Sequence, residues 1–111
     1  MCTKNPDDIR IIAIDFDGTL NDGCYPDCSH PNMYIIRRAL EERAKGAKLI
    51  LWTAREEKDL DDAVNACKSW GLEFDAVNEN IPEIVEIYGY ATRKVAASEY
   101  WDDKAVALSF I

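Results

Sequence analysis

Positive charge is scarce in this chain. Against 21 aspartates and glutamates stand 13 lysines and arginines and a single histidine, a formal net charge of −8. Such a balance offers no general attraction for a nucleic-acid backbone and mildly opposes anionic membranes. No apolar stretch approaches the roughly 20 residues needed to cross a bilayer, so no membrane span is expected. An amino-terminal apolar signal segment is missing too. The four cysteines, Cys2, Cys24, Cys28 and Cys67, therefore do not read as a secreted disulfide scaffold, and a reducing cytoplasm is the expected compartment. The three tryptophans are dispersed through an acidic chain and read as packing residues rather than a platform for bases.

What is present is a core. With 111 residues, 48% of them hydrophobic, the chain supports one domain over 1–111 and leaves no room for a second. Ile9 to Ile14, bounded by Pro6-Asp7-Asp8 and the turn Asp15-Phe16-Asp17-Gly18, reads as a buried strand. After a loop through Gly23-Cys24-Tyr25-Pro26 and His30-Pro31, Asn32 caps a helix whose apolar face is Ile35, Ile36, Ala39, Leu40 and Ala44, with Gly46 as its stop. Ala47 to Trp52 reads as a second strand, Glu57 to Ser69 as a helix with Leu60, Ala63, Val64 and Cys67 on one face, and Phe74 to Val77 as a third strand. Pro82 begins a weak helix through Ile84, Val85 and Ile87 that Gly89 interrupts, and Ser98 to Trp101 forms the fourth strand. Strands alternating with helices predict an α/β, Rossmann-like three-layer fold with a mostly parallel sheet, which binds ligands outside the carboxyl ends of its strands.

Asp15, Thr53 and Asp102 all fall at such ends, so three polar positions far apart in sequence converge by topology alone. Asp15 and Asp17, two carboxylates around Phe16 at a strand end, suggest a site for a divalent metal and a phosphoryl group. Cys24, Cys28 and His30 hold two soft ligands and an imidazole close together, but no matching second pair follows, and Cys67 sits on an apolar helix face. Zinc is accordingly not expected.

At this point the chain resembles the haloacid dehalogenase-like hydrolase superfamily, in particular its small, capless phosphatase-like members. Asp15-Phe16-Asp17-Gly18-Thr19-Leu20 matches the first motif, Thr53 the second, Lys94 the third and Asp102-Asp103 the fourth. The likeness extends through Tyr25-Pro26, Pro31-Asn32, Leu51-Trp52-Thr53-Ala54-Arg55 and Phe74 to Asn80. No cap is inserted between the motifs, Val95 follows Lys94 where close relatives often carry proline, and the eight residues after Asp103 leave little for a fifth strand.

The resemblance implies a magnesium-dependent phosphomonoester hydrolase in which Asp15 is the nucleophile, forming an aspartyl-phosphate. It implies Asp17 as general acid and base. Magnesium would be held by Asp15, Asp102, the backbone carbonyl of Asp17 and, directly or through water, Asp103. Thr53 and Lys94 would hold the phosphoryl group, Gly18 would let turn amides reach it, and Arg55 would orient a substrate anion or pair with a carboxylate. Asn78 and Asn80 would organise the loop after the third strand. The expected substrate is a phosphorylated small molecule at an open pocket walled by Asp22 to Asn32, with Tyr25 or an oligomeric partner such as a second copy closing it. The competing class is a phosphate-binding or protein-interaction module of the same fold with little turnover.

Overall fold

β1 (Ile11–Ile14) is buried along its whole length and forms the centre of the fold. The computed structural model describes residues 8–104. Expectations that touch Cys2, Pro6, Asp7 and the stretch after Lys104 lie outside the described residues. β1 pairs in parallel with β2 (Lys48–Leu51) on one side and β4 (Glu99–Trp101) on the other, and β2 pairs in parallel with β3 (Ala76–Val77). The order β3-β2-β1-β4 makes an all-parallel, four-stranded sheet in an α/β, Rossmann-like three-layer arrangement.

Period-two alternation divides the core between the two faces. Ile12, Ile14, Leu49 and Leu51 pack with Ile36 and Ala39 of α1 (Met33–Ala44) and Ala63 and Cys67 of α2 (Glu57–Ser69). Ile11, Ala13, Ile50 and Ala76 pack on the other face with Ile84 of α3 (Pro82–Tyr88) and with Val95. A parallel sheet covered on both faces needs strands apolar at every position, which is how Ile11-Ile12-Ala13-Ile14 and Leu49-Ile50-Leu51 read. Burial pushes the Cys67 thiol up to about 12, making it a core group rather than a nucleophile.

All four strands are shorter than the sequence reading has them, β2 running Lys48–Leu51 rather than Ala47–Trp52 and β4 starting at Glu99 rather than Ser98, and the buried face of α1 also differs. The expected third strand from Phe74 shrinks to Ala76–Val77 because the Asp75 carboxylate accepts the Leu49 amide at 2.8 Å, replacing a backbone partner with a side chain. On α1, Leu40 is 37% exposed and Ala44 is exposed. The buried stripe is narrower than expected, Ile36 and Ala39 with Ile35 beside them, because the helix presents one edge rather than a broad face to the sheet. β1 begins at Ile11 rather than Ile9; just before it the Arg10 carbonyl accepts the Lys48 amide at 2.9 Å, and the Ile11 amide donates to the Ser98 hydroxyl at 3.0 Å. The Asn32 cap is as expected, its side chain accepting the Ile35 amide at 3.4 Å.

Thr19 carries an uncompensated cost. It is buried, and its hydroxyl has no hydrogen-bond partner among the described residues. Replacing that hydroxyl by a methyl removes a desolvated polar group at nearly constant shape, so Thr19→Val is expected to stabilise the fold by about 1 kcal/mol in denaturant unfolding. A loss of stability on that substitution would mean the hydroxyl has a partner.

Candidate functional site

The carboxyl ends of three adjacent strands bring the site together. Asp15 follows β1, and its amide donates to Trp101 O at the end of β4 (2.9 Å). Trp52 donates to Ile14 O (2.9 Å), which sets Thr53 beside the same end. One carboxylate oxygen from each of Asp15, Asp102 and Asp103 lies within 4.8 Å of the others. The Lys104 amide, 2.9 Å from Asp102 Oδ1, fixes one oxygen of that carboxylate and leaves the other for a ligand.

Such crowding has an electrostatic signature. Asp15 is pushed up from 3.8 to about 6, first by burial and next by the charge of Asp102, with Asp103 and Asp17 adding to it and the Phe16 amide pulling back. Three hard oxygen donors with unbalanced negative charge fit a hard divalent cation of the magnesium type far better than a soft one.

Gly18 takes a left-handed backbone in the turn after β1, the tight turn expected of it. Its own amide donates to Asn21 O at 2.9 Å and closes the turn. With φ at +86°, its missing side chain makes room for Asp103, whose Cγ would lie 2.7 Å from a Cβ at this position. Gly18 thus brings a carboxylate into the cluster.

Asp17 does not join the three carboxylates through its side chain. Arg55 grips it at two points, Nε to Oδ2 at 2.8 Å and Nη2 to Oδ1 at 2.7 Å. For cation binding this leaves Asp17 its backbone carbonyl, the contact implied by the resemblance. The Arg55 side chain is 2% exposed, with its guanidinium carbon 4.8 Å from the centre of the Phe16 ring and 4.9 Å from that of Tyr25. Its remaining nitrogen reaches Pro26 O (3.4 Å), Cys28 Sγ (3.2 Å) and Asp59 O (3.3 Å). The bond to Asp17 raises the Arg55 pKa further.

Thr53 is anchored by its amide to Asn78 Oδ1 (2.8 Å), and its hydroxyl accepts the Arg55 amide (3.2 Å), leaving the hydroxyl proton to donate. Asn80 accepts the Ala96 amide (2.7 Å) and donates to Thr92 (2.8 Å). Both asparagines organise loops. Lys94 is exposed, with its ammonium 5.5 Å from the centre of the Tyr100 ring. It lines a cavity of about 490 Å³ on the α3 face, with Ile11, Ile84, Tyr88 and Tyr100, to which none of the three carboxylates contributes.

The loop from Asp22 to Asn32 folds back beside Asp17. Asn21, missed in the sequence, is fully buried and ties this loop by donating to Asp27 O (2.5 Å) and accepting the His30 amide (3.1 Å). Its only sequence signal is an asparagine next to a predicted turn. Tyr25 hydrogen-bonds Asp59 of α2 and lies over Arg55 rather than over the carboxylates. His30 pairs with Asp27 at 3.1 Å, and Cys28 faces Arg55. Asp102 and Asp103 are exposed, so the cluster is open to solvent. No helix among the described residues is long and apolar enough to cross a membrane.

No family model and no curated protein matches the chain. A solved conserved protein coded by a locus of Bacteroides thetaiotaomicron is similar in structure, with a TM-score of 0.76 and 36% identity, covering 88% of this chain and 78% of that one. Identity at that level over that length means that the chain belongs to the same family as that conserved protein.

Proposed function

We propose that this chain is a magnesium-dependent phosphomonoester hydrolase that works through an aspartyl-phosphate on Asp15. The observation that carries the reading is the meeting of Asp15, Asp102 and Asp103 at the ends of β1 and β4, beside Asp17 and Thr53. Bound magnesium would neutralise charge on the three carboxylates and on a phosphate oxygen. Asp15 attacks phosphorus, Asp17 gives a proton to the leaving oxygen and later takes one from water, and the Thr53 hydroxyl donates to the phosphoryl group. Lys94, swung from Tyr100, adds a positive charge in the transition state. An uncapped, solvent-open cluster favours broad, modest activity on phosphorylated small molecules over strict selectivity.

A second reading, phosphate binding with little turnover, draws on Lys94 resting against Tyr100 rather than at the carboxylates. Magnesium titration by calorimetry, followed by a screen of small phosphomonoesters, separates the two. Wild type is expected to bind magnesium and release phosphate, and Asp102→Ala to weaken magnesium at least about tenfold. Unchanged affinity in that variant removes Asp102 from the ligand set. Tight phosphate binding without product release favours the second reading.

A further inference from the structure

The Arg55 side chain is almost fully buried, a costly place for a permanent charge, yet the hydrogen bonds of its guanidinium go elsewhere than to the three clustered carboxylates. Its two-point grip falls on Asp17. Its third nitrogen is spent on Pro26, Cys28 and Asp59, and its faces are covered by Phe16 and Tyr25. One side chain therefore joins the turn after β1, the loop containing Tyr25 to Cys28, and the start of α2.

We propose that Arg55 is a positioning residue that holds the Asp17 carboxylate in a single orientation and ties that orientation to the docked state of the 22–32 loop. The inference rests on the hydrolase reading, in which Asp17 moves the proton. A planar fork engages one lone pair on each Asp17 oxygen, and a carboxylate offers about four such sites. The free pairs remain in a fixed direction for proton transfer.

In the first step an Asp15 oxygen forms a bond to phosphorus, the bond from phosphorus to the leaving oxygen breaks, and the proton on Asp17 passes to that oxygen. In the second, water attacks phosphorus and gives its proton to Asp17, while the bond from phosphorus to Asp15 breaks. A leaving group as stable as 4-nitrophenolate needs no proton. Formation of the aspartyl-phosphate from 4-nitrophenyl phosphate should then depend little on Asp17, whereas its hydrolysis should depend on it strongly.

The test is rapid-quench measurement of both steps with magnesium and 4-nitrophenyl phosphate, in wild type, Arg55→Ala, Arg55→Lys, Asp17→Asn and the double variant Asp17→Asn/Arg55→Ala. Arg55→Ala is expected to slow decay of the phosphoenzyme by about 100-fold while leaving its formation nearly intact. Arg55→Lys, which keeps the charge and loses the fork, should fall between. The double variant should decay no more slowly than Asp17→Asn alone, because residues acting as a unit are not additive. Millimolar guanidinium should restore decay in Arg55→Ala and not in the double variant. Additive losses, equal slowing of both steps, or a failure of both Arg55 variants to fold as judged by near-ultraviolet circular dichroism would overturn the positioning role and leave the hydrolase reading standing. Absence of an Asp15-dependent phosphoenzyme in wild type would overturn both.

Discussion

Asp15→Asn is expected to abolish phosphate release while making the cation-free protein more stable. On the proposed hydrolase reading, loss of Asp15 as nucleophile removes the covalent route, a fall of more than about 10⁴-fold in kcat. The stability effect follows from the raised Asp15 pKa. The carboxyl moves from 3.8 to about 6 in the fold, so the native state holds this proton more tightly than the unfolded chain does. The group's favourable contribution is complete below the lower value and is lost as pH rises through the upper one. Without magnesium, wild type should therefore lose about 1–2 kcal/mol between pH 4 and pH 7, after allowance for solvent screening of a half-buried group. Asn carries no charge, and that part of the pH dependence should vanish. Thermal melts of both proteins in chelator across this range check the sign, and a steeper fall in Asp15→Asn than in wild type would contradict it. Magnesium should raise the wild-type melting temperature and affect the variant much less.

Gly18→Ala is expected to damage both the fold and the proposed cation site. A left-handed backbone with a Cβ costs roughly 1–2 kcal/mol. The new methyl also collides with the Asp103 carboxylate, whose displacement should weaken magnesium by about tenfold or more. Gly46 supplies the control, because it has φ at +101° and a methyl group there would meet nothing within 4 Å. Gly46→Ala should show the backbone cost in denaturant unfolding and leave magnesium affinity at the wild-type value. Equal magnesium binding in both variants would mean that Asp103 does not depend on the Gly18 gap.

Layering, helix placement and the strand ends that bear Asp15, Thr53 and Asp102 were legible because they follow from patterns along the chain. Runs such as Ile11-Ile12-Ala13-Ile14 demand burial on both faces, and parallel connectivity then puts their carboxyl ends on one rim. Partners across space were not legible. Nothing along the chain assigns Arg55 to Asp17 rather than to a ligand, since either choice satisfies a guanidinium equally well. Asn21 is similar, because an asparagine at a turn looks the same whether it faces water or holds a loop from inside. The short β3 was hidden for a related reason, as the Asp75 side chain takes the Leu49 amide while the Asp75 amide donates to Leu49 O.

The central place of β1 bears on how the protein opens. Paired on both sides and buried throughout, its amides should be among the last to exchange with solvent, while α3 and the exposed loop around Tyr25 open at lower free energy. Asp15 and Asp102 follow β1 and β4, two strands paired directly, so partial opening elsewhere leaves those carboxylates facing each other. Repulsion between them then persists in partly opened forms and is relieved only when β4 leaves β1. In cation-free protein that detachment should be the sub-global event most favoured by high pH, visible as faster deuterium uptake at Glu99–Trp101 than at Lys48–Leu51, and a bound cation should close the difference.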